Sequence, residues 1–218
     1  MDDLSDLSGL TKLTSLQVNV GVASLGGLEN LTSLRDLRLY GSGSTYTDVD
    51  ALANMAELVS LDLPYRRNSN ENPLPPVDLG GLKNLTKLQE LRVYDTDSLE
   101  PLRGLTGLRT LDIQADRPNS SLTLSLEPLS GLTKLTELRL SGRVQNGDLS
   151  PLSGLTELRS LQIYHDTWIG SDYTNYHWVY IQDLSPLAGL TKLNSLRVSG
   201  TAENIDTSPV SFVADLNI

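Results

Sequence analysis

A chain of 218 residues with 39% hydrophobic content, a formal net charge of −10 and no apolar run near 18 residues reads as a soluble chain without a membrane-spanning helix. The acidic balance argues against nucleic acid and against anionic membrane surfaces, whose phosphates would be repelled. The absence of cysteine excludes disulfides, thiolate metal sites and a cysteine nucleophile, without deciding the compartment. No basic-then-apolar segment opens the sequence, so any export signal is expected to lie outside it or not to exist.

In chain order, one unit returns eight times: Leu4 to Val18, Leu25 to Leu39, Val49 to Leu63, Leu79 to Val93, Leu99 to Ile113, Leu126 to Leu140, Leu149 to Ile163 and Leu184 to Val198. The last copy is the cleanest, with leucines at 184, 187, 190, 193 and 196. A three-residue period falls about 60° short of a full α-helical turn at each step, so one α-helix cannot hold these leucines on a single face. The unit must bend, from a tight helical or 3₁₀ stretch into an extended Leu-x-Val whose alternate residues face the same way. Ser185 before Pro186 is expected to serve as the helical N-cap. The strand leucines are 16, 37, 61, 91, 111, 138, 161 and 196, spaced by 21, 24, 30, 20, 27, 23 and 35 residues. A constant core with variable spacers is what a solenoid permits.

The pattern Leu-x-x-Leu-x-Leu, with GLTKLTELRL at 131–140 as a specimen, resembles a leucine-rich repeat, and the phrasing LSPLSGLTELRSLQI at 149–163 is similar to the internalin-like class of bacterial surface proteins. The resemblance implies an α/β solenoid: a right-handed arc with a parallel β-sheet on its concave face and short 3₁₀ or α segments on its convex face. Residues 1–218 are then expected to form a single domain of eight full repeats. A shortened ninth coil, in which Val213, Leu216 and Ile218 repeat the spacing and Phe212 helps cover the stack, is expected to close it. The family often places an asparagine five residues after the strand leucine. Those positions here are Gly21, Ser42, Arg66, Thr96, Asp116, Arg143, Asp166 and Thr201, so the ascending loops must find other hydrogen-bond partners.

Alternation separates the faces of each strand. The central outward column reads Gln17, Arg38, Asp62, Arg92, Asp112, Arg139, Gln162, Arg197, and the spacing of parallel coils would set Asp62 and Asp112 each between two arginines. A neighbouring column carries Tyr40, Tyr94 and Tyr164. The spacer 164–183 holds six of the eleven aromatics, both tryptophans and both histidines. Two readings apply to it: a hairpin-like excursion packed on itself, or aromatics presented to a partner. On the second, Trp168, Tyr173, Tyr176 and Trp178 are binding anchors, with Tyr164, Tyr94, Tyr40 and Arg92 supplying sheet contacts.

Catalysis has little support, since no nucleophile elbow, phosphate loop or zinc helix occurs. His165, Asp166, Asp172 and His177 are the one set able to gather around a metal, and loop residues rarely supply preorganised geometry. The expectation is a non-enzymatic module without cofactor or metal. It binds a protein or a glycan as a monomer, at a cell surface or outside the cell by resemblance, with an intracellular scaffold as the alternative.

Overall fold

The computed structural model describes residues 4–41, 43–66, 74–114, 123–164 and 180–218. Among the described residues nine strands stack in chain order into one parallel sheet: β1 (Ser15–Asn19), β2 (Asp36–Tyr40), β3 (Ser60–Asp62), β4 (Glu90–Tyr94), β5 (Thr110–Gln114), β6 (Glu137–Ser141), β7 (Ser160–Tyr164), β8 (Ser195–Ser199) and β9 (Asp215–Asn217). Register aligns the strand leucines across the whole sheet, from Leu16↔Leu37 to Leu196↔Leu216. With the repeated core, this is a leucine-rich-repeat solenoid.

The three-residue leucine period has a direct backbone counterpart. In the last full unit the amides of Leu187, Leu190 and Leu193 donate to the carbonyls of Leu184, Leu187 and Leu190 at 2.9, 3.0 and 2.8 Å. Each leucine is thus three residues from its hydrogen-bond partner, which is 3₁₀ geometry, and side chains three apart eclipse and point into the core together. Among the described residues every helical element is a three-residue 3₁₀ turn.

The turns are capped otherwise than expected. Ser185 is the first residue of its 3₁₀ turn, which it enters after Leu184 without a side-chain cap from that residue. The capping group is Asp183, whose Oδ1 accepts the Ser185 amide at 2.7 Å while its Oδ2 accepts the Ser185 hydroxyl at 2.7 Å. Asp78, Asp148 and Asp206 accept the amide two residues on in the same way. An aspartate reaches the free amides at the start of a turn more easily from just outside it. The hydrogen bonds from Ser150 and Ser208 hold the carboxyls of Asp148 and Asp206 below the usual carboxylate range.

The core is a single column of leucines, most of them fully buried, such as Leu129, Leu132, Leu135 and Leu140 at 0% exposure. It thins at the ends. Leu10 in the first coil and Leu216 in the last are 47% and 39% exposed, because each has a neighbouring coil on one side only. Phe212, expected to cover the C-terminal end, is 43% exposed. It lies between the inward Val210 and Val213, which keep the three-residue period and are 0% and 7% exposed, so its ring falls outside the core.

The ascending edge shows how the coils are tied without an asparagine ladder. Isolated parallel bridges link Ser44 to Arg66, Asp48 to Asp78, Leu124 to Val144 and Ile181 to Thr201. At the position where the family often has asparagine, Arg66, Thr96 and Arg143 are buried. The Thr96 hydroxyl donates to the carbonyl of Val77 in the previous coil at 3.2 Å, as an amide ladder would. Arg66 goes further. Fully buried, its guanidinium lies over the Tyr46 ring at 5.6 Å, donates to the Pro75 carbonyl at 3.0 Å and sits 3.8 Å from the Asp95 carboxylate. The Tyr46 hydroxyl in turn donates to the Pro64 carbonyl at 3.0 Å, and burial pushes the phenol well above its ordinary pKa.

Candidate functional site on the concave sheet

Three outward columns pave the concave face, each set by strand alternation over an inward leucine. Register pairs confirm the central one: Gln17↔Arg38, Asp62↔Arg92, Arg92↔Asp112, Asp112↔Arg139, Arg139↔Gln162 and Gln162↔Arg197. On one side runs a column of acids and hydroxyls, in which Asp36, Ser60, Glu90, Thr110 and Glu137 are successive register partners. On the other runs the tyrosine column, where Tyr40 pairs with Asn19, Tyr94 with Gln114 and Tyr164 with Ser141.

Within the central column the expected alternating ladder is realised only in its middle. Arg92 donates to Asp112 through Nε at 3.0 Å and to Asp62 through Nη1 at 3.1 Å, so one guanidinium is shared by two carboxylates. The flanking arginines do not complete the pattern. Arg38 pairs with Asp36 on its own strand at 3.1 Å, and Arg139 lays its guanidinium over the Tyr164 ring at 5.5 Å. A same-strand carboxylate two residues away and a neighbouring aromatic face are as close as the next coil's aspartate, and spacing alone does not choose among them.

The electrostatics follow from that sharing. Burial raises the carboxyl pKa of Asp62 above its ordinary value, and the opposing charges of Arg92 and Arg38 do not fully reverse it. For Arg92, burial works against the cation, but the charge of Asp62 and the hydrogen bond to Asp112 outweigh it, so its pKa stands above the ordinary value. The Gln114 amide lies 3.4 Å from Asp112, closing that side. Burial likewise raises the Tyr94 hydroxyl above its usual pKa.

Of the residues singled out from the sequence, Tyr40, Tyr94, Tyr164 and Arg92 all lie on this face. Tyr40 and Tyr94 are two strands apart, and Tyr164 is three strands beyond Tyr94. Trp168, Tyr173, Tyr176 and Trp178 lie outside the described residues, as do His165, Asp166, Asp172 and His177. One contributor was missed: Tyr65, 56% exposed, packs edge-to-face on Tyr94 with ring centroids 5.7 Å apart. Its position just after β3, facing the end of β4, was the available signal. Together the two rings form a rigid aromatic corner at the sheet's rim.

The face is shaped as well as charged. A depression of about 320 Å³ lies over β2 to β5, lined by Arg38, Tyr40, Asp62, Glu90, Arg92 and Asp112 among others. A second, of about 180 Å³, continues over β5 to β7 between Arg92, Asp112, Glu137, Arg139 and Gln162. A roomier hollow of about 480 Å³ lies off the sheet, between Pro76, Lys83, Asp97, Glu100 and Pro101. It has no aromatic lining, and the concave trough, where aromatic, anionic and cationic groups converge, is the better candidate for recognition.

No protein-family model and no curated protein matches this sequence. Solved structures do match. An internalin (inlF) from Listeria monocytogenes superposes with a TM-score of 0.73 at 28% identity, covering 100% of this chain and 57% of that one. A second internalin of that organism (inlC2) gives a TM-score of 0.64 at 27% identity, over 88% of this chain and 74% of that one. The plant peptide hormone receptor RGFR1, solved in complex with RGF2, gives 0.58 at 21% identity over 100% of this chain and 34% of the receptor, a likeness of fold alone. The chain is a leucine-rich-repeat protein. Within that class it is internalin-like, and it spans little more than half the length of the first internalin it matches.

Proposed function

We propose that the chain is a non-enzymatic binding module for proteins, acting through the concave sheet as a single leucine-rich-repeat domain. The observation that carries this reading is the composite face around Arg92: a guanidinium shared by Asp62 and Asp112, flanked by the Tyr65–Tyr94 corner and set in an open trough. Tyrosine and arginine on a rigid sheet supply contact area and directed hydrogen bonds at low ordering cost, which is the composition of energetic hot spots. The repeat core uses none of these side chains. The aromatic spacer 164–183 follows β7 in sequence, and its Trp168, Tyr173, Tyr176 and Trp178 are proposed as further anchors on the strength of their residue types. By likeness to the internalins, the module is proposed to belong to a bacterial surface or secreted protein.

The test presents the chain to an array of extracellular proteins and to a glycan array. Binding to a protein, weakened tenfold or more in a Trp168→Ala, Trp178→Ala double variant that folds normally and left intact by Lys83→Ala off the sheet, is the expected result; roughly that loss accompanies removal of a hot-spot side chain. Binding to glycans alone would replace this reading with a carbohydrate-binding one.

A further inference from the structure

Deepening the concave-sheet reading, on which this rests, we infer that the trough takes an extended, basic protein segment with lysine or arginine at every third residue, laid across the strands from β2 toward β7. The first support is an imbalance of charge. The cations of this face are committed: Arg38 to Asp36, Arg92 to Asp62 and Asp112 together, Arg139 to the Tyr164 ring. Two carboxylates of the outer column make no direct ion pair. Among the described residues Glu90 accepts the Ser60 hydroxyl at 3.1 Å and meets the Arg38 charge only beyond ion-pair distance, and Glu137 has no cation within ion-pair distance. Both line the trough, Glu90 in the first depression and Glu137 in the second.

The second support is geometric. The two depressions share Arg92, Thr110 and Asp112, so they form one trough running across the strands. Glu90 and Glu137 flank Thr110 in register, two strands apart, a separation of about 9.6 Å at the usual spacing of parallel strands. A polyproline II segment rises about 3.1 Å per residue and returns to the same face every third residue, so its side chains at i and i+3 are about 9.3 Å apart. A β-conformation segment repeats its face every second residue, at about 6.6 Å, and misses one of the two carboxylates. The net charge of −10 steers a basic segment toward the chain and repels a second copy of itself.

The experiment titrates the chain into a fluorescent peptide of four Lys-Pro-Pro triplets. Its controls are Glu-Pro-Pro triplets and a peptide of equal charge with lysine at every second residue. The Lys-Pro-Pro peptide is expected to bind more tightly than both controls and to weaken as salt rises from about 0.05 to 0.3 M. It should weaken roughly twofold to thirtyfold in a Glu90→Gln, Glu137→Gln double variant, the loss expected for two exposed ion pairs. Glu57→Gln, which removes one negative charge away from the sheet, should leave binding unchanged. Absence of binding, equal affinity for the folded double variant, or an equal loss in Glu57→Gln would overturn the inference. The array partner's response to concave-sheet substitutions is read separately, so the peptide can fail while the concave-sheet reading stands.

Discussion

Two of the places where arginine meets aspartate in this protein have opposite consequences. On the ascending edge Arg66 and Asp95 are buried, with side chains 0% and 4% exposed, and the guanidinium also meets the Pro75 carbonyl and the buried Tyr46 ring. On the concave sheet the Arg92 side chain is 46% exposed and is shared between Asp62 and Asp112, whose side chains are 18% and 10% exposed. The first cluster ties coils together where an amide ladder is absent. In the second the guanidinium lies open in a trough over two largely covered carboxylates. Burial, more than residue type, decides which ion pair is structural and which is available, because a charge removed from water must be matched locally and an exposed one need not be.

The largest effect should come from breaking the buried pair. Arg66→Met leaves the Asp95 carboxylate buried without the opposing Arg66 charge and should cost about 3–5 kcal/mol in urea denaturation. A loss below about 1 kcal/mol would mean that the edge cluster is not structural and would erase the contrast. Leu138→Ala comes next. It opens a cavity between two coils and should cost about 2–5 kcal/mol, while Arg139→Ala beside it, on an exposed position, should cost less than about 1 kcal/mol. The reverse order in thermal denaturation would put the inward and outward faces wrong by one residue.

The smallest effect is one of sign. Burial sets the Asp62 carboxyl above its unfolded pKa, so the folded chain holds that proton more tightly; the corresponding stability is present at low pH and lost as pH rises through the carboxylate range. Glu57 is opposite: its hydrogen bond from Lys87 lowers its pKa, so its contribution is present above the ordinary carboxylate value and lost on acidification. Comparing urea midpoints at about pH 7 and pH 3.5, Asp62→Asn should fall further behind the wild type on acidification and Glu57→Gln should close on it. Parallel behaviour of the two variants would show that the sheet carboxylate is not desolvated as described.

Much of this contrast was legible in the residues. The three-residue leucine period dictated 3₁₀ turns and a parallel sheet because only that geometry buries every leucine, and strand alternation placed Arg92, Tyr40, Tyr94 and Tyr164 outward in register. Side-chain choice among near-equal partners was not legible. Spacing offers Arg38 an aspartate on either strand and Arg139 an aspartate or a tyrosine ring, and these alternatives differ by less than an exposed ion pair is worth. Arg66 was equally hard to read, since a charged residue in a polar loop gives no hint that Tyr46, Pro75 and Asp95 enclose it. Ser185 drew attention as a cap through its place before Pro186, whereas the recurring aspartate two residues ahead of the turns was the more consistent sign.

The most direct measurement pairs stability with recognition in one molecule, an Arg92→Ala, Tyr94→Ala double variant assayed by urea denaturation and by affinity for a protein partner captured on the array. The concave sheet as recognition face predicts a midpoint lowered clearly less than by Arg66→Met, since the Asp62 and Asp112 carboxylates keep some contact with water, and an affinity lowered by more than about thirtyfold, the equivalent of roughly 2 kcal/mol. An unchanged affinity in a folded variant, or a midpoint lowered as far as by Arg66→Met, would contradict it.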